Sequence, residues 1–397
     1  MRILIIDLSV YPLFASFVSG GDRHMLEVCK RLRDYNYDST LLTSETGAEI
    51  VKWYGISMKT HIVSVPFEKI LCKTIIGLAI LYLIRMVKSL FSFFSFGLRE
   101  NFHIICTFSH FLVNILPAVM ISRRFPFSKL IVYIHHLEPK PLERNKYHPF
   151  LPSLLTWISQ NVSLMLIKKN ANLVFINPRD KKQVSRLGVS MERIRIMQQG
   201  IDIKRIRRVN KEEKKYDACF LGRLSPFKAF DLIDIWKIVC RSYPNAQLLI
   251  IGTELEKYVS QLRKKIEIEG LKKNIKLLGV LPEDEKYAFL KTCKIFIFPS
   301  YEEGWGIAVC EAMACGLPVV AYDLPAYKVF RDAIIKIPVG NKKAFSGAVL
   351  NLLSDEKLRA GIGEKAKKIA EQYDWEVTAE RELNLIKLGV EAGGVFS

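Results

Sequence analysis

The chain has 397 residues, half of them apolar and a quarter charged, which excludes a disordered tail-like protein and is too long for one ordinary hydrophobic core. Lys and Arg number 59 against 40 Asp and Glu, a formal net charge of +19. That excess favours anionic partners such as phosphates or acidic lipid, or equally a basic soluble surface; its cations are too dispersed for a nucleic-acid module, so no nucleic acid is expected as a partner.

The first apolar run, Ile3 to Ile6, is stopped at once by Asp7 and reads as a strand rather than a signal peptide. Eight cysteines lie scattered without C-x-x-C spacing, which indicates neither a zinc site nor a redox motif. Those inside apolar runs, such as Cys219, read as buried small hydrophobes in a reducing compartment. A cytoplasmic location follows, and the sequon Asn161-Val162-Ser163 is incidental on that reading.

From the N-terminus, Arg2–Asp7 is a strand, followed by Gly20-Gly21 and a helix over Asp22–Arg33 with an apolar stripe at Met25, Leu26, Cys29 and Leu32. Further strands are expected at 40–43, 61–65, 103–108, 130–134, 173–176 and 194–197, with helices between most of them, one of them opened by Asn177-Pro178. The segment Ile70 to Leu98 is almost wholly apolar but interrupted by Lys73, Arg85 and Lys88. Its uninterrupted runs fall short of the roughly 20 residues of a spanning helix. On one continuous helix, Lys69, Lys73, Arg85 and Lys88 share about a 160° arc. A cationic face beside Phe91, Phe93, Phe94 and Phe96 suits a helix lying on an anionic membrane; it equally suits a helix packed on a sheet with its basic edge in water.

The charge-dense segment 204–215 reads as a linker. Strands then recur at 218–221, 248–251, 275–278, 295–298, 318–321 and 334–337, with helices near 226–239, 254–269, 283–290, 307–313, 342–353, 356–371 and 376–388. Strand–helix alternation in both halves predicts an α/β protein of two doubly wound parallel sheets.

Chemistry concentrates in Phe298-Pro-Ser-Tyr-Glu-Glu-Gly-Trp-Gly-Ile-Ala-Val-Cys-Glu-Ala-Met-Ala-Cys-Gly-Leu-Pro-Val-Val320. A strand ends, a loop carries Glu303, Gly304 and Gly306, and a helix follows bearing Glu311. Ligands of open α/β sheets bind at the carboxyl ends of strands, glycines permit close backbone approach, and the free amides of a helix start, here Gly306 to Val309, suit an anion or a sugar hydroxyl. Carboxylates accept hydrogen bonds from sugar and ribose hydroxyls.

With Glu303 and Glu311 separated by seven residues, this string resembles the E-x7-E signature of the retaining group 1 glycosyltransferases, related in fold to glycogen synthase. Phe220-Leu-Gly-Arg-Leu-Ser-Pro-Phe-Lys228 resembles the family's G-R-L-x-x-x-K segment, with Ser225 as a helix cap, Pro226 first in the helix, and Ala229 where glycine is common. The resemblance assigns the donor diphosphate to Arg223 and Lys228, a fork and a point charge, and backbone contact with the base to Val280 and Leu281 after Gly279. It lays Gly20 and Gly21 over the donor phosphates and turns His135, with His136 as its competitor, toward the transferred sugar. Met197-Gln-Gln-Gly200-Ile-Asp202 is similar to the family's Asn-Gly-Val-Asp, with Gln199 in place of Asn.

The resemblance implies the GT-B fold: two facing Rossmann-like domains, an acceptor domain over 1–203 and a nucleotide-sugar domain over 204–374, with 375–397 a helix returning to the first. It also implies a retaining hexosyltransferase with a nucleotide-diphosphate sugar as co-substrate, no cofactor and no metal. His135 and Glu303 become the catalytic pair, Gly304, Gly306, Ile307, Ala308 and Glu311 join the donor site, and the acceptor is a glycan or a lipid-linked molecule. The alternatives are a non-catalytic nucleotide-sugar-binding protein and a sugar-nucleotide epimerase of the same fold.

Overall fold

The structure, a computed structural model, describes residues 1–10, 20–96, 101–143, 150–175, 180, 184–185, 188–210 and 213–391. These fall into two compact units: residues up to Gln198 with Thr378 onward, and Gln199–Val377. Asn177-Pro178 and Leu98 lie outside the described residues.

In the first unit, β1 (Arg2–Asp7), α1 (Gly20–Asp34), β2 (Asp38–Ser44), α2 (Glu45–Trp53) and β3 (Lys59–Val63) come first. Then follow α3 (Glu68–Leu71), α4 (Ile75–Phe96), β4 (Ile104–Thr107), α5 (Leu112–Arg124), β5 (Lys129–Ile134), α6 (Phe150–Ile167), β6 (Ala171–Phe175) and β7 (Ile194–Ile196). The strands form one parallel sheet in the order β3-β2-β1-β4-β5-β6-β7. Runs such as Ile3–Ile6 carry apolar side chains on both faces because helices cover both, and all four are buried. The strands occupy the expected places to within a few residues.

The segment from Ile70 departs from expectation. It is two helices, since the chain turns at Cys72–Thr74 between α3 and α4. Lys69 and Lys73 therefore do not share a face with Arg85. Arg85 itself is buried, paired with Glu68 at 2.9 Å and donating to the carbonyls of Leu8 and Val10 at 2.7 and 2.8 Å. Burying a guanidinium is costly unless its charge is paired; here both terminal nitrogens are bonded while Nε has no partner among the described residues, and the side chain ties α4 to the chain leaving β1. The cationic face thus does not exist. The helix also runs unbroken through Arg85 and Lys88, and Ile76–Phe94 has the length and composition of a membrane span. Its inner side chains Leu81, Arg85, Ser89 and Phe93 are buried in the unit, so α4 lies along the protein surface.

The second unit contains α7 (Ile203–Arg208), β8 (Tyr216–Leu221), α8 (Pro226–Ser242), β9 (Leu248–Ile251), α9 (Glu256–Ile268), β10 (Ile275–Gly279) and α10 (Glu283–Lys291). It continues with β11 (Cys293–Phe298), α11 (Ile307–Ala314), β12 (Val319–Tyr322), β13 (Ile335–Ile337), α12 (Lys342–Ser354) and α13 (Glu356–Ala370). The sheet order is β10-β9-β8-β11-β12-β13, again parallel. The segment expected as linker begins with α7, because Asp202 caps it by accepting from the Arg205 amide at 2.9 Å and Ile203 and Ile206 are buried. The last helix, α14 (Trp375–Glu391), belongs to the first unit from Thr378 onward.

Three glycines close-pack the ends of adjacent strands. Gly252 has φ +135° and donates to the Gly279 carbonyl at 2.8 Å, and a Cβ there would lie 1.9 Å from the Gly222 carbonyl oxygen. Gly252→Ala is therefore expected to destabilise the protein by at least about 1–3 kcal/mol in urea unfolding, from backbone strain alone. Wild-type stability would show that these strand ends are not held as described.

Candidate functional site

In each sheet the strand order reverses beside the first strand: between β1 and β4, and between β8 and β11. Loops leaving two such neighbours diverge to opposite sides, which opens a crevice at their carboxyl ends.

At the second unit's reversal, β8 feeds Gly222–Ser225 and α8, while β11 feeds Pro299–Gly306 and α11. Lys228, in the first turn of α8, donates from Nζ to Glu303 Oε1 at 2.5 Å, and Ser300 Oγ donates to the same oxygen at 3.0 Å. Both side chains of the pair are mostly shielded from solvent. Residues 75 apart in sequence, predicted from separate strings, thus meet across the crevice. Arg223 is half exposed, 3.9 Å from Glu254 and with its guanidinium over the Phe227 ring. Ser225 starts α8 through its carbonyl, which accepts from the Lys228 and Ala229 amides at 3.0 Å. Its hydroxyl makes no cap bond, contrary to the expected role, and is buried without a partner among the described residues.

Gly306 opens α11 with φ +100°, and a Cβ there would lie 2.8 Å from the Tyr327 ring. Only glycine fits both the left-handed conformation and the space. The amides of Ile307 and Ala308 then head the helix, where no carbonyl of the helix reaches them. Glu311, one turn on, is buried; its Oε1 accepts from Lys286 Nζ and Tyr287 OH, both at 3.0 Å. Gly304 lies in the loop before Gly306. Val280 and Leu281 follow the left-handed Gly279 at the end of β10, Val280 with an exposed side chain.

In the first unit, Asp7 ends β1 and accepts from Ser9 Oγ at 2.8 Å and from Asn114 Nδ2 at 3.3 Å. Burial raises its carboxyl pKa above the ordinary range against these bonds. Gly20 and Gly21 form the first turn of α1. His135 leaves β5 with its ring against Gly21, where a Cβ would be 2.8 Å from His135 Cδ2. Neither ring nitrogen of His135 has a hydrogen-bond partner among the described residues. Burial first, then the imidazoles of His24, His110 and His136, hold its pKa well below the ordinary value. His135 is therefore a neutral ring able to accept or donate one hydrogen bond. Beside it, His24 on α1 pairs through Nε2 with Glu382 Oε1 of α14 at 2.7 Å, both fully buried.

The sequence reading missed Glu254, Lys286, Tyr287, His24 and Glu382. Each is a common residue type on a helix or loop, and only the packing of distant segments brings it to the site. His24 carried the one available signal, a histidine among the apolar positions of α1.

Residues 202–369 match the family described as Glycosyl transferases group 1, and residues 18–205 match Glycosyltransferase Family 4. The chain is 32% identical over 180 residues to phosphatidyl-myo-inositol mannosyltransferase of Mycobacterium leprae, covering 44% of this chain and 47% of that protein. It is 30% identical over 211 residues to the GDP-mannose-dependent monoacylated alpha-(1-6)-phosphatidylinositol monomannoside mannosyltransferase of Corynebacterium glutamicum, covering 47% and 54%. The chain therefore spans about half the length of these curated relatives. Among solved structures, HepE of Anabaena in complex with UDP and glucose superposes with a TM-score of 0.73 at 18% identity, over 98% of this chain and 99% of that one. Sucrose-phosphate synthase of Thermosynechococcus elongatus gives 0.74 at 16%, over 99% and 100%. At such identities the likeness establishes the fold, which is GT-B.

The histidine cluster predicts a pH dependence. Burial lowers the His110 pKa from 6.5 to about 4. Between those values the unfolded chain binds a proton that the folded one refuses, so stability is full above pH 6.5 and falls as pH drops toward 4. Thermal melts from pH 7 to pH 5 should show this slope, and His110→Asn should flatten it. An unchanged slope in the variant would assign it to other groups.

Proposed function

We propose that this chain, a member of the group 1 glycosyltransferases, is a retaining, metal-independent hexosyltransferase acting in the cytoplasm. It moves a sugar from a nucleotide-diphosphate donor to a lipid-linked or glycan acceptor. The observation that carries this reading is the Lys228–Glu303 pair at the strand-order reversal of the second unit. A cation and a sugar-binding carboxylate hold each other there. A donor offers both an exchange: its diphosphate replaces Glu303 beside Lys228, and its sugar hydroxyls replace Lys228 beside Glu303.

Arg223, Lys228 and the amides heading α8 supply positive charge where the leaving diphosphate develops negative charge, the electrostatic role that a metal fills elsewhere. Val280 and Leu281 offer backbone groups to the base. Glu311, oriented by Lys286 and Tyr287, accepts from the ribose hydroxyls. Glu303 and the first amides of α11 hold the sugar. In the first unit, the neutral His135 orients the transferred sugar, and Gly20 and Gly21 give their amides to the donor phosphates. Attack on the same face of the sugar, with the leaving phosphate taking the acceptor proton, retains the anomeric configuration.

The names of the two relatives, both mannosyltransferases acting on phosphatidylinositol lipids, favour a mannosyl donor and a lipid acceptor here.

A nucleotide-sugar panel in a thermal-shift experiment tests the donor role. One donor at about a hundred times its dissociation constant should add about 2.7 kcal/mol of stability, and Arg223→Ala and Lys228→Ala should abolish the shift. No shift with any GDP-, UDP- or ADP-sugar would overturn the reading. Glu303→Ala should lower turnover by about 10²–10³-fold, the usual worth of a preorganised transition-state contact. His135→Ala should keep the donor shift yet lower turnover; full turnover in that variant would remove His135 from the mechanism.

A further inference from the structure

We propose that the outward faces of α4 and α6 form a docking surface for an anionic lipid leaflet. Each helix presents a continuous ridge of large apolar side chains to solvent. On α4 these are Ile76, Ile80, Leu83, Val87, Phe91 and Phe94, all exposed. On α6 they are Leu151, Leu155, Ile158, Val162 and Met165, also exposed. At 100° per residue each set falls within about 80° of arc, directly opposite the residues its helix buries. Scattered apolar residues on a surface are ordinary; two aligned ridges are not.

The ridges belong to one layer. All of α4, α5 and α6 are crossovers between parallel strands on one face of the first sheet, and α5 packs against both others. Helices at packing distance put the ridges about 16–20 Å apart, with α5 recessed between them and its Met120 exposed.

Charge identifies the occupant. Not one Asp or Glu occurs in α4, α5 or α6, although the chain has 40 of them. Within the helices, Arg85 is buried and Lys88 lies on the flank of α4, off the ridge, donating to the Ser64 carbonyl; the other cations sit at the helix ends. Arg123 and Arg124 are exposed at the end of α5, and Lys168 and Lys169 follow α6. Because the three helices run the same way, these four basic residues share one edge. An apolar surface on acid-free helices with cations along one edge is complementary to acyl chains beneath anionic headgroups. The inner side of α4 holds the chain leaving β1: Arg85 binds the Leu8 and Val10 carbonyls, and Tyr82 OH donates to the Ser9 carbonyl at 3.1 Å. One helix thus joins the lipid surface to the strand end beside Asp7, where a lipid-linked acceptor would present its head group.

Only this last step rests on the transferase reading. The surface is tested without it, by flotation of the full chain with phosphatidylcholine vesicles and with one-to-one phosphatidylcholine–phosphatidylglycerol vesicles. The protein should float with the anionic vesicles, less so as salt rises. Leu83→Asp with Ile158→Asp, both at exposed positions, should lower bound protein at least about tenfold, the worth of one leucine-sized side chain withdrawn from lipid. Arg123→Gln with Arg124→Gln should weaken the preference for anionic vesicles. Unchanged melting temperature and donor shift in these variants would separate lost docking from lost folding. Absence of flotation from both vesicle types would overturn the proposal. So would a stable wild-type dimer that the Asp variant dissociates, since the ridges would then pair two copies of the chain.

Discussion

The bond between Lys228 and Glu303 exists only because β8 and β11 are neighbours. Parallel strands must be joined by crossovers, and a sheet wound outward from its first strand in both directions has one place where successive loops part. There the first turn of α8 and the loop before α11 face each other. A basic and an acidic side chain, largely removed from water, attract each other more strongly than they would in bulk solvent, which offsets part of the cost of desolvating them. Gly222, Gly252 and Gly279 serve the same geometry by bringing backbone to strand ends where a Cβ would intrude or strain the chain.

The first unit repeats the topology with different chemistry. Its reversal point carries Asp7, Ser9 and Asn114 in a shared hydrogen-bond cluster, and the Gly21–His135 contact beside it. Burial works oppositely on the two ionisable types: it raises Asp7 and lowers His135, in each case favouring the neutral form.

Burial of charge also governs α4. Its single inward arginine has its charge paired by Glu68 and its terminal nitrogens bonded to two carbonyls, and the opposite side carries the apolar ridge. A helix judged by its composition alone looks like a membrane span; held by Arg85, it becomes a surface element with two differently used faces.

By itself the sequence determined the architecture. The short apolar runs, the 3.6-residue stripes and their alternation depend on local backbone geometry, and the strands of both sheets lay close to where those patterns put them. The strings around Arg223, Lys228, Glu303 and Glu311 were legible for a related reason, since each is a contiguous strand–loop–helix unit. Only the tertiary structure decided partnership: that Lys228 meets Glu303, that Glu311 is held by Lys286 and Tyr287, that His24 pairs with Glu382, and that Arg85 points inward. Those contacts join residues far apart in the chain, and no local pattern encodes which distant side chain will stand opposite. The cationic face failed on the same point, because a helical wheel assumes one unbroken helix and cannot see the turn at Cys72–Thr74 or the buried Glu68 that draws Arg85 in.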